Sequence, residues 1–184
     1  MAHVDYFLKI KGIDGESLQK GHEREIEILS FSWGATNAGS FAGNLGGGSG
    51  KVAVADFKFT VPVNKATPKL FLACMTGEHI KSAQLTCRKA GKTQQDYLKW
   101  KFTDLLISSY HIGGSIGADH LDHSREHATP SGQIRGQSQS DLLPVDEVTF
   151  NFTKIEVVYA PQKADGSLDA GMPAGYDLKA GEKV

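Results

Sequence analysis

His22-Glu-Arg-Glu-Ile-Glu-Ile-Leu-Ser-Phe-Ser-Trp-Gly34 is the stretch of sequence that decides the fold. Polar and apolar residues alternate along it, as expected of a β-strand with one buried face and one face in water. The apolar parity changes once, near Ile28 and Leu29, and a β-bulge at that point keeps the apolar side chains on one face. The wet face then carries Glu25, Glu27, Ser30 and Ser32. A long, bent strand of this kind is typical of the wall of a barrel or a tightly packed sandwich.

A second bent strand is predicted near the end of the chain, from Val148 to Tyr159. Its apolar residues also change parity, so a second bulge is expected near Thr153 and Lys154. Two bent strands favour a closed sheet. Beyond them, residues 161–184 form a polar, glycine-rich tail in which three apolar residues could support a short edge strand: Tyr176, Leu178 and Val184.

One helix is predicted in the middle of the chain. Thr67 is suited to cap it, Pro68 suits its first position and Gly77 supplies its end. Its apolar stripe, which is expected to pack on the core, consists of Leu70, Phe71, Cys74 and Met75.

Length and charge predict a single domain and exclude several classes of partner. The chain has 184 residues, with 20 basic and 21 acidic side chains and a formal charge of −1, so neither nucleic acid nor an anionic membrane is an expected partner. No apolar run approaches the roughly 20 residues that cross a bilayer. The N-terminus has the pattern of a strand rather than of a signal peptide, which predicts folding in the cytoplasm. Cys74 and Cys87 lack the spacing of a metal or redox motif and are expected to be buried free thiols.

A glycine-rich segment, residues 34–50, contains seven glycines and follows the organising strand. So many glycines disfavour a regular strand or helix, and a long loop of this kind is predicted to be an extended arm. Its end resembles a phosphate-binding loop, but Leu45 and Val52 occupy two motif positions and a strand follows instead of a helix, so a nucleotide site is not expected. Phe41 and Leu45 could dock on a neighbouring subunit or fold back on their own domain.

Residues 111–144 are predicted to be a long loop. His120, His123 and His127 would align on one face of a short helical turn, and three imidazoles could bind zinc with water as a fourth ligand. The segment has almost no apolar residues to build a dry cavity, so solvated surface histidines are favoured and no metal site is predicted. No Gly-x-Ser-x-Gly motif accompanies a nucleophile, and no enzyme activity or cofactor is expected.

Several stretches together resemble the Hcp proteins of the bacterial type VI secretion system, in order and in spacing over nearly the whole chain. They are Asp5-Tyr-Phe-Leu-Lys-Ile10, Gly12-Ile-Asp-Gly-Glu-Ser17, His22 to Gly34, Gly50-Lys-Val52, Thr67-Pro68, Cys87-Arg-Lys-Ala-Gly91, Gln95-Asp-Tyr-Leu98 and Pro161-Gln-Lys-Ala-Asp-Gly166. Residues 120–143 depart from the family pattern, as an insertion before the last strand.

The resemblance implies a closed β-barrel of two antiparallel sheets with one flanking α-helix and long loops. It implies six copies in a ring and rings stacked into a tube inside a contractile sheath. The tube is tipped by a spike protein, is secreted on firing without a cleaved signal peptide, and carries or chaperones effector proteins in its lumen. No catalysis is implied.

This resemblance gives roles to two residue sets. The arm would join neighbouring subunits, through Phe41, Asn44, Leu45 and Lys51. The polar strand face would line the lumen and contact effectors, through Glu25, Glu27, Ser30 and Ser32, with Ser32 as the first candidate. Two alternatives stay open: a monomeric β-barrel that binds a small ligand, and a zinc-dependent hydrolase that uses the three histidines.

Overall fold

Alternating strand patterns run through most of the chain, and the computed structural model has a mainly β fold. It describes residues 4–37, 52–89, 94–114, 143–163 and 165–184. These residues form eleven strands and one helix. They are β1 (Val4–Ile10), β2 (Ile26–Ile28), β3 (Ser30–Ser32), β4 (Ala35–Asn37), β5 (Val52–Val54), β6 (Phe57–Pro62), α1 (Thr67–Thr76), β7 (His79–Lys89), β8 (Gln95–Gly113), β9 (Val145–Tyr159), β10 (Met172–Asp177) and β11 (Glu182–Lys183). The predicted fold class, mainly β with one helix, is confirmed.

Two long strands organise a nine-stranded antiparallel sheet. β8 has 19 residues and β9 has 15, well above the usual length of about 5–6. β9 pairs with β8 along one edge, and along the other edge first with β6 and then with β10. The sheet therefore branches halfway along β9. Its main order is β11-β10-β9-β8-β7-β1-β2, with β6 and β3 on the branch, and β4 and β5 form a separate two-stranded sheet.

The first parity change in the sequence marks a change of partner strand. β2 pairs with β1 and β3 pairs with β6, and the chain bends between them at Leu29. Leu29 is exposed, and its N–H donates to the carbonyl of Thr60 at 2.8 Å. In place of the predicted bulge, the chain turns a corner at Leu29 and continues from one part of the sheet into another. Within the described residues no sheet closes on itself, so the predicted closed barrel is not confirmed.

The second predicted bulge, at Thr153 and Lys154, is wrong. Phe152 and Ile155 are both buried, so the parity does change there, but the register between β8 and β9 continues unbroken through this point. The partner strand changes parity at the same place, because Phe102 and Leu105 are also both buried. Both strands reverse their inner face together, which keeps their register; the register shift lies further on, between Ile107 and Ser109.

The core is an aromatic cluster at this reversal. The ring of Phe57 lies 4.8 Å from that of Phe102 and 5.0 Å from that of Phe150, and Phe102 lies 5.0 Å from Phe152. Three strands, β6, β8 and β9, contribute to it, and Phe59 of β6, which has no accessible surface, adjoins it. Each such side chain stabilises the fold by about 1.5–3 kcal/mol on burial, so this cluster holds the branch point of the sheet in place.

The helix ends at Gly77 as predicted, but it begins one residue earlier than predicted. Thr67 does not cap α1; Ala66 occupies the cap position without a side-chain bond, and the Asn64 carboxamide oxygen accepts from the N–H of Ala66 at 2.7 Å. Gly77 ends the helix in the left-handed conformation, at φ 65°, as its lack of a Cβ allows.

The inner face of α1 is also narrower than predicted. Leu70 and Ala73 are buried and Cys74 is half-buried. Phe71 and Met75, which were expected in the core, are exposed. The helix therefore has a second apolar face that the domain does not cover with its described residues.

Two segments predicted as irregular contain strands. Ala35–Asn37, at the start of the predicted arm, forms β4 and pairs with β5, so the expectation of no regular structure is wrong there. The predicted edge strand in the tail is present as β10, which is longer than expected because Met172 already pairs with Tyr159. The remainder of the arm, residues 38–51, and residues 115–142 of the predicted loop lie outside the described residues.

Candidate functional site

Four neighbouring strands present one continuous polar surface. In an antiparallel ladder, directly paired residues lie on the same side of the sheet. One row runs across β3, β6, β9 and β8 through Ser30, Thr60, Glu147 and His111, and the next row through Ser32, Lys58, Thr149 and Ser109. We call these eight residues the hydroxyl face.

The side chains of the hydroxyl face bond to one another. The hydroxyls of Ser30 and Thr60 lie 2.6 Å apart, and those of Ser109 and Thr149 lie 2.7 Å apart. Lys58 Nζ lies 2.7 Å from Glu147 Oε1, so the charges on this face pair locally. Because both partners of that pair are more than a third exposed, water screens it and it contributes little to stability.

The hydroxyl face exists because the same strands bury their alternate residues. The buried residues are Phe57 and Phe59 in β6 and Val148 and Phe150 in β9. Because successive side chains of a strand point to opposite faces, the residues between them face water. The result is a wall of short hydroxyls with a balanced ion pair. Such a surface binds water well and offers no large apolar side chain to which another protein could adhere.

The four predicted lumen residues separate in the structure. Ser30 and Ser32 are exposed and belong to the hydroxyl face. Glu27 is exposed but lies in β2, where its Oε1 accepts a hydrogen bond of 2.6 Å from the hydroxyl of Ser17. Glu25 is buried, so its predicted place on the wet face is wrong. Alternation along single strands placed Ser30 and Ser32, whereas their polar neighbours could be found only from the pairing of four strands.

Glu25 belongs instead to a buried polar cluster around His22. The imidazole stacks on Phe7 with 4.2 Å between ring centroids, and its Nδ1 lies 2.7 Å from Glu25 Oε2. Its Nε2 lies 3.2 Å from Asp96 Oδ1, which also accepts a hydrogen bond of 2.8 Å from Arg88 Nε. These contacts fasten the segment between β1 and β2 onto β7 and β8, so Glu25 has a structural role in this fold.

Electrostatics within this cluster favour the charged form of Asp96. Burial raises the pKa of Asp96, but the hydrogen bonds from Arg88 and His22 outweigh burial, so that the pKa lies below its ordinary value. The guanidinium carbon of Arg88 lies 5.5 Å from the ring centroid of Phe7, a further favourable contact. Asp96 is therefore the anion that holds two basic side chains at the edge of the core.

The remaining predicted site residues cannot be placed. The arm residues Phe41, Asn44, Leu45 and Lys51 lie outside the described residues, and so do the three histidines of the zinc alternative, His120, His123 and His127. In the parts of the chain that are described, no three His, Cys, Asp or Glu side chains converge as metal ligands do.

Two cavities on the surface have the size of a small-ligand site. One, of about 370 Å³, lies beside β1 and is lined by charges of both signs, among them Lys9, Glu23 and Arg24. The other, of about 350 Å³, is lined by Tyr6, Leu29 and other residues of the corner. Both are open to solvent, and neither presents a convergent set of polar groups of the kind that orients a small ligand. Among the described residues, no helix has both the length and the apolar character needed to span a membrane.

Comparison with known proteins agrees with the fold and with the residues that carry it. The sequence model of the family described as "Type VI secretion system effector, Hcp" matches residues 7–159. Protein Hcp1 of Pseudomonas aeruginosa is 41% identical over 182 residues, which cover 98% of each chain. The crystal structure of Hcp1 from Salmonella typhimurium superimposes over the whole of both chains with a TM-score of 0.70 and 30% identity. A type VI secretion system effector from Yersinia pestis matches with a TM-score of 0.67 and 31% identity, over 94% of this chain and 99% of that one.

The branched, mainly β sheet with its polar wall is the fold that this chain shares with solved type VI secretion proteins. The extent and identity of the matches are specific enough to go further: the chain belongs to the Hcp family of the type VI secretion system. Hcp proteins are secreted structural components of that system and not enzymes. The family resemblance and the expectation of a non-enzymatic protein are thereby confirmed.

Proposed function

We propose that this chain is the subunit of a secretion tube, in which six copies form a ring and rings stack around a water-filled lumen. The observation that carries the proposal is the hydroxyl face, a polar wall that extends over four strands. A channel wall of this character lets folded cargo pass, because no large apolar side chain holds it and the fixed charges are paired. The proposal also includes a closed barrel, in which the two parts of the sheet meet at the Leu29 corner.

The subunit connector in the proposal is the arm. Residues 38–51 connect β4 to β5 along the chain, and these two strands form a ladder separate from the nine-stranded sheet. A segment of this kind, exchanged between neighbours with Phe41, Asn44, Leu45 and Lys51 in contact, produces a head-to-tail interface that closes on rotation.

The proposed partners follow from this role. They are other copies of the chain, a contractile sheath around the tube, a spike protein at its tip, and effector proteins carried or chaperoned in its lumen. The protein is made in the cytoplasm and is secreted on firing without a cleaved signal peptide.

The first experiment measures the assembly. Mass photometry and negative-stain microscopy of the full chain in dilute buffer should show rings of six times the 19.8 kDa protomer mass. Deletion of residues 41–49 should abolish the rings and leave a folded monomer with the same circular dichroism. A monomer at every concentration of the unaltered chain would reject the tube.

The second experiment tests which surface faces the lumen. Ser32→Cys, in a Cys74→Ser background, should react in rings with a small maleimide but only slowly with a maleimide that carries a long polyethylene glycol chain. The same cysteine in the arm-deleted monomer is the matched control and should react readily with both reagents. Equal rates of the long reagent in rings and monomer would place Ser32 outside the lumen.

A further inference from the structure

Residues 11–25, which we call the strap, connect β1 to β2 and cover the side of β1 that faces away from the core. Phe7 and Leu8 point to opposite sides of β1, and Leu8 belongs to the core. Phe7 is nevertheless only 1% exposed, because the ring of His22 in the strap stacks on it with an interplanar angle of 9°. The contacts that hold the strap down therefore decide whether Phe7 meets water.

His22 fastens the strap through both nitrogens of its ring. Nδ1 lies 2.7 Å from a carboxylate oxygen of Glu25 in the strap, and Nε2 lies 3.2 Å from a carboxylate oxygen of Asp96 in β8. The side chain of His22 is 5% exposed and that of Glu25 is 7% exposed, so water has little access to replace these bonds. A carboxylate accepts hydrogen bonds and donates none, so the histidine must supply the proton of each bond.

The protonation state of the imidazole decides whether both bonds exist. A neutral imidazole carries one N–H, so one nitrogen donates while the other presents a lone pair to a carboxylate. The imidazolium donates from both nitrogens. Together with the guanidinium of Arg88, which lies 2.8 Å from Asp96, the imidazolium balances the two carboxylates of the cluster. A neutral ring would leave one negative charge uncompensated at a largely buried place, which costs free energy.

Other charged groups near the ring lie at the rim of the cluster and are open to water. Lys9 Nζ lies 3.8 Å from Glu25 Oε1 and Lys99 Nζ lies 3.4 Å from Asp96 Oδ2, and the two lysines are 69% and 45% exposed. Because water screens such exposed charges, they cannot take the place of an imidazolium between the carboxylates. The remaining charged side chains on this side of the strap, of β1 and of β2 are Lys20, Glu23, Asp5 and Glu27.

We propose that His22 is a proton-dependent latch, which holds the strap closed on Phe7 while both ring nitrogens carry a proton and opens it when one proton is lost as the pH rises. The closed form needs the additional proton, so its population relative to the open form falls with rising pH, by at most tenfold for each pH unit. Histidine is the side chain that ordinarily changes charge between pH 5 and 8. The latch belongs to the single chain and does not depend on the proposed tube.

Opening is confined to residues 18–24, next to the latch. On one side of this part, the hydroxyl of Ser17 anchors the strap by donating to Glu27 Oε1 at 2.6 Å. Between the anchors, the carbonyl of Lys20 accepts a hydrogen bond of 3.3 Å from Arg88 Nη1, which is long for such a bond. Few contacts therefore hold this part on the sheet once the latch is released.

The backbone of the same part is strained while the strap is closed. Arg24 has φ 64°, in the left-handed region that favours glycine, and Gly21 beside the latch has φ 85°. The conformation of Arg24 costs free energy because its Cβ approaches the backbone. This strain favours the open form as soon as one hydrogen bond of His22 is lost.

Hydrogen–deuterium exchange of the full chain, read by mass spectrometry from pH 5.5 to 9, follows both events in one sample. Exchange at the ring carbon between the two nitrogens reports the protonation of His22. Amide exchange of residues 18–25, corrected for that of the unfolded chain at the same pH, reports closure of the strap. The two transitions should share one midpoint, and amide protection should fall by up to tenfold per pH unit above it while β7 stays protected. Mass photometry at each pH records the assembly state.

Two variants separate the latch from general effects of pH. His22→Gln has no charge to lose and donates from one end only, so its strap should be weakly protected at every pH. His79→Gln, at an exposed histidine of β7, is the matched control and should keep the transition.

Three results would overturn the inference. One is constant protection of the strap while the ring of His22 titrates, which needs only the unaltered chain and so decides the question even if His22→Gln does not fold. Another is the same pH dependence in His22→Gln as in the unaltered chain. The third is a transition that occurs in rings but not in the arm-deleted monomer, because it would attribute the change to assembly.

Discussion

The phenol hydroxyl of Tyr110 donates a hydrogen bond of 2.8 Å to Oδ1 of Asp146, a carboxylate with no accessible surface. The hydroxyl of Thr67, the first residue of α1, donates to Oδ2 of the same carboxylate at 2.5 Å. One side chain of β9 therefore ties β8 and the start of the helix together. This explains why Thr67 leaves the capping position that its sequence context predicts.

Removal of the Tyr110 hydroxyl should destabilise this junction. Tyr110→Phe keeps the ring against Phe71 but leaves Oδ1 of a buried carboxylate without its donor, so the free energy of unfolding should fall by about 1–3 kcal/mol in urea titrations. Tyr159→Phe, at an exposed ring, is the control and should change little. An unaltered midpoint for Tyr110→Phe would show that the hydrogen bond contributes nothing net.

This hydrogen bond also has a defined pH window. Burial, and then the Asp146 hydrogen bond, raise the pKa of Tyr110 to about 12, above the ordinary value of 10. A raised pKa means that the contribution is complete below about pH 10 and is lost as the pH rises through 12. The stability difference between the unaltered chain and Tyr110→Phe should be constant from pH 7 to 9 and shrink above 10, if unfolding is followed by fluorescence.

Asp96→Asn should weaken the cluster around His22. The amide cannot carry the charge that Arg88 and His22 stabilise, so the free energy of unfolding at pH 7 should fall by about 1–2 kcal/mol. Because the pKa of Asp96 in the fold lies below its ordinary value of 3.8, its contribution is present above about pH 4 and is lost as the pH falls through the folded pKa. The difference between variant and unaltered chain should therefore diminish in acid.

The exposed ion pair between Asp14 and Arg24 provides the control for that experiment. Water screens this pair, so Asp14→Asn should leave the urea midpoint at pH 7 nearly unchanged. Equal effects of the two substitutions would mean that burial of the His22 cluster does not strengthen it.

Gly15→Ala should destabilise the fold although it adds a single methyl group. A Cβ at this position would lie 2.3 Å from the carbonyl oxygen of Glu25 and 2.6 Å from its carbon, so the backbone itself would have to move. We expect the free energy of unfolding, measured in urea, to fall by about 1–3 kcal/mol. Gly34→Ala is the matched control, since open space surrounds that position, and a neutral Gly15→Ala would show that the segment yields easily.

The two cysteines should differ sharply in reactivity. Cys87 is buried, and burial raises the pKa of its thiol to about 11, so little thiolate forms at neutral pH. Cys74 is half-buried on α1. Iodoacetamide at pH 7.5 should label Cys74 in the native protein and Cys87 only in denaturant, and native Cys74→Ser should take up no label. Mass spectrometry that finds rapid labelling of Cys87 would contradict its burial.

Alternation along the chain was enough to place most strands. The residues of β6 and the first half of β9 alternate cleanly, because each strand packs one face on the aromatic core, whereas β1 buries the consecutive residues Phe7 and Leu8. The corner at Leu29 has the same signature as a bulge, since both change the parity of one strand. A corner can be distinguished from a bulge only by its partner strand. That strand lies about 30 positions away in the sequence, at residues such as Thr60.

The candidate site shows where sequence reasoning ends. Ser30 and Ser32 followed from local parity, but the parity of Glu25 gave the wrong answer because His22 lies three residues away and Asp96 is brought in from β8. Burial of a carboxylate depends on such partners, which a single strand does not reveal. The helix posed a similar difficulty: α1 has two apolar faces, and its spacing alone could not say that Phe71 points outward.

The long pairing of β8 with β9 has a mechanical consequence. The two strands align fourteen residue pairs in one ladder, from Leu98 with Tyr159 to Gly113 with Val145. Tension applied along these strands would load the whole ladder in shear, so that many hydrogen bonds must break at once, whereas tension across them would open one pair at a time. The protein should therefore be stiff along the axis of its longest strands and should yield first at the short outer ladder of β10 and β11.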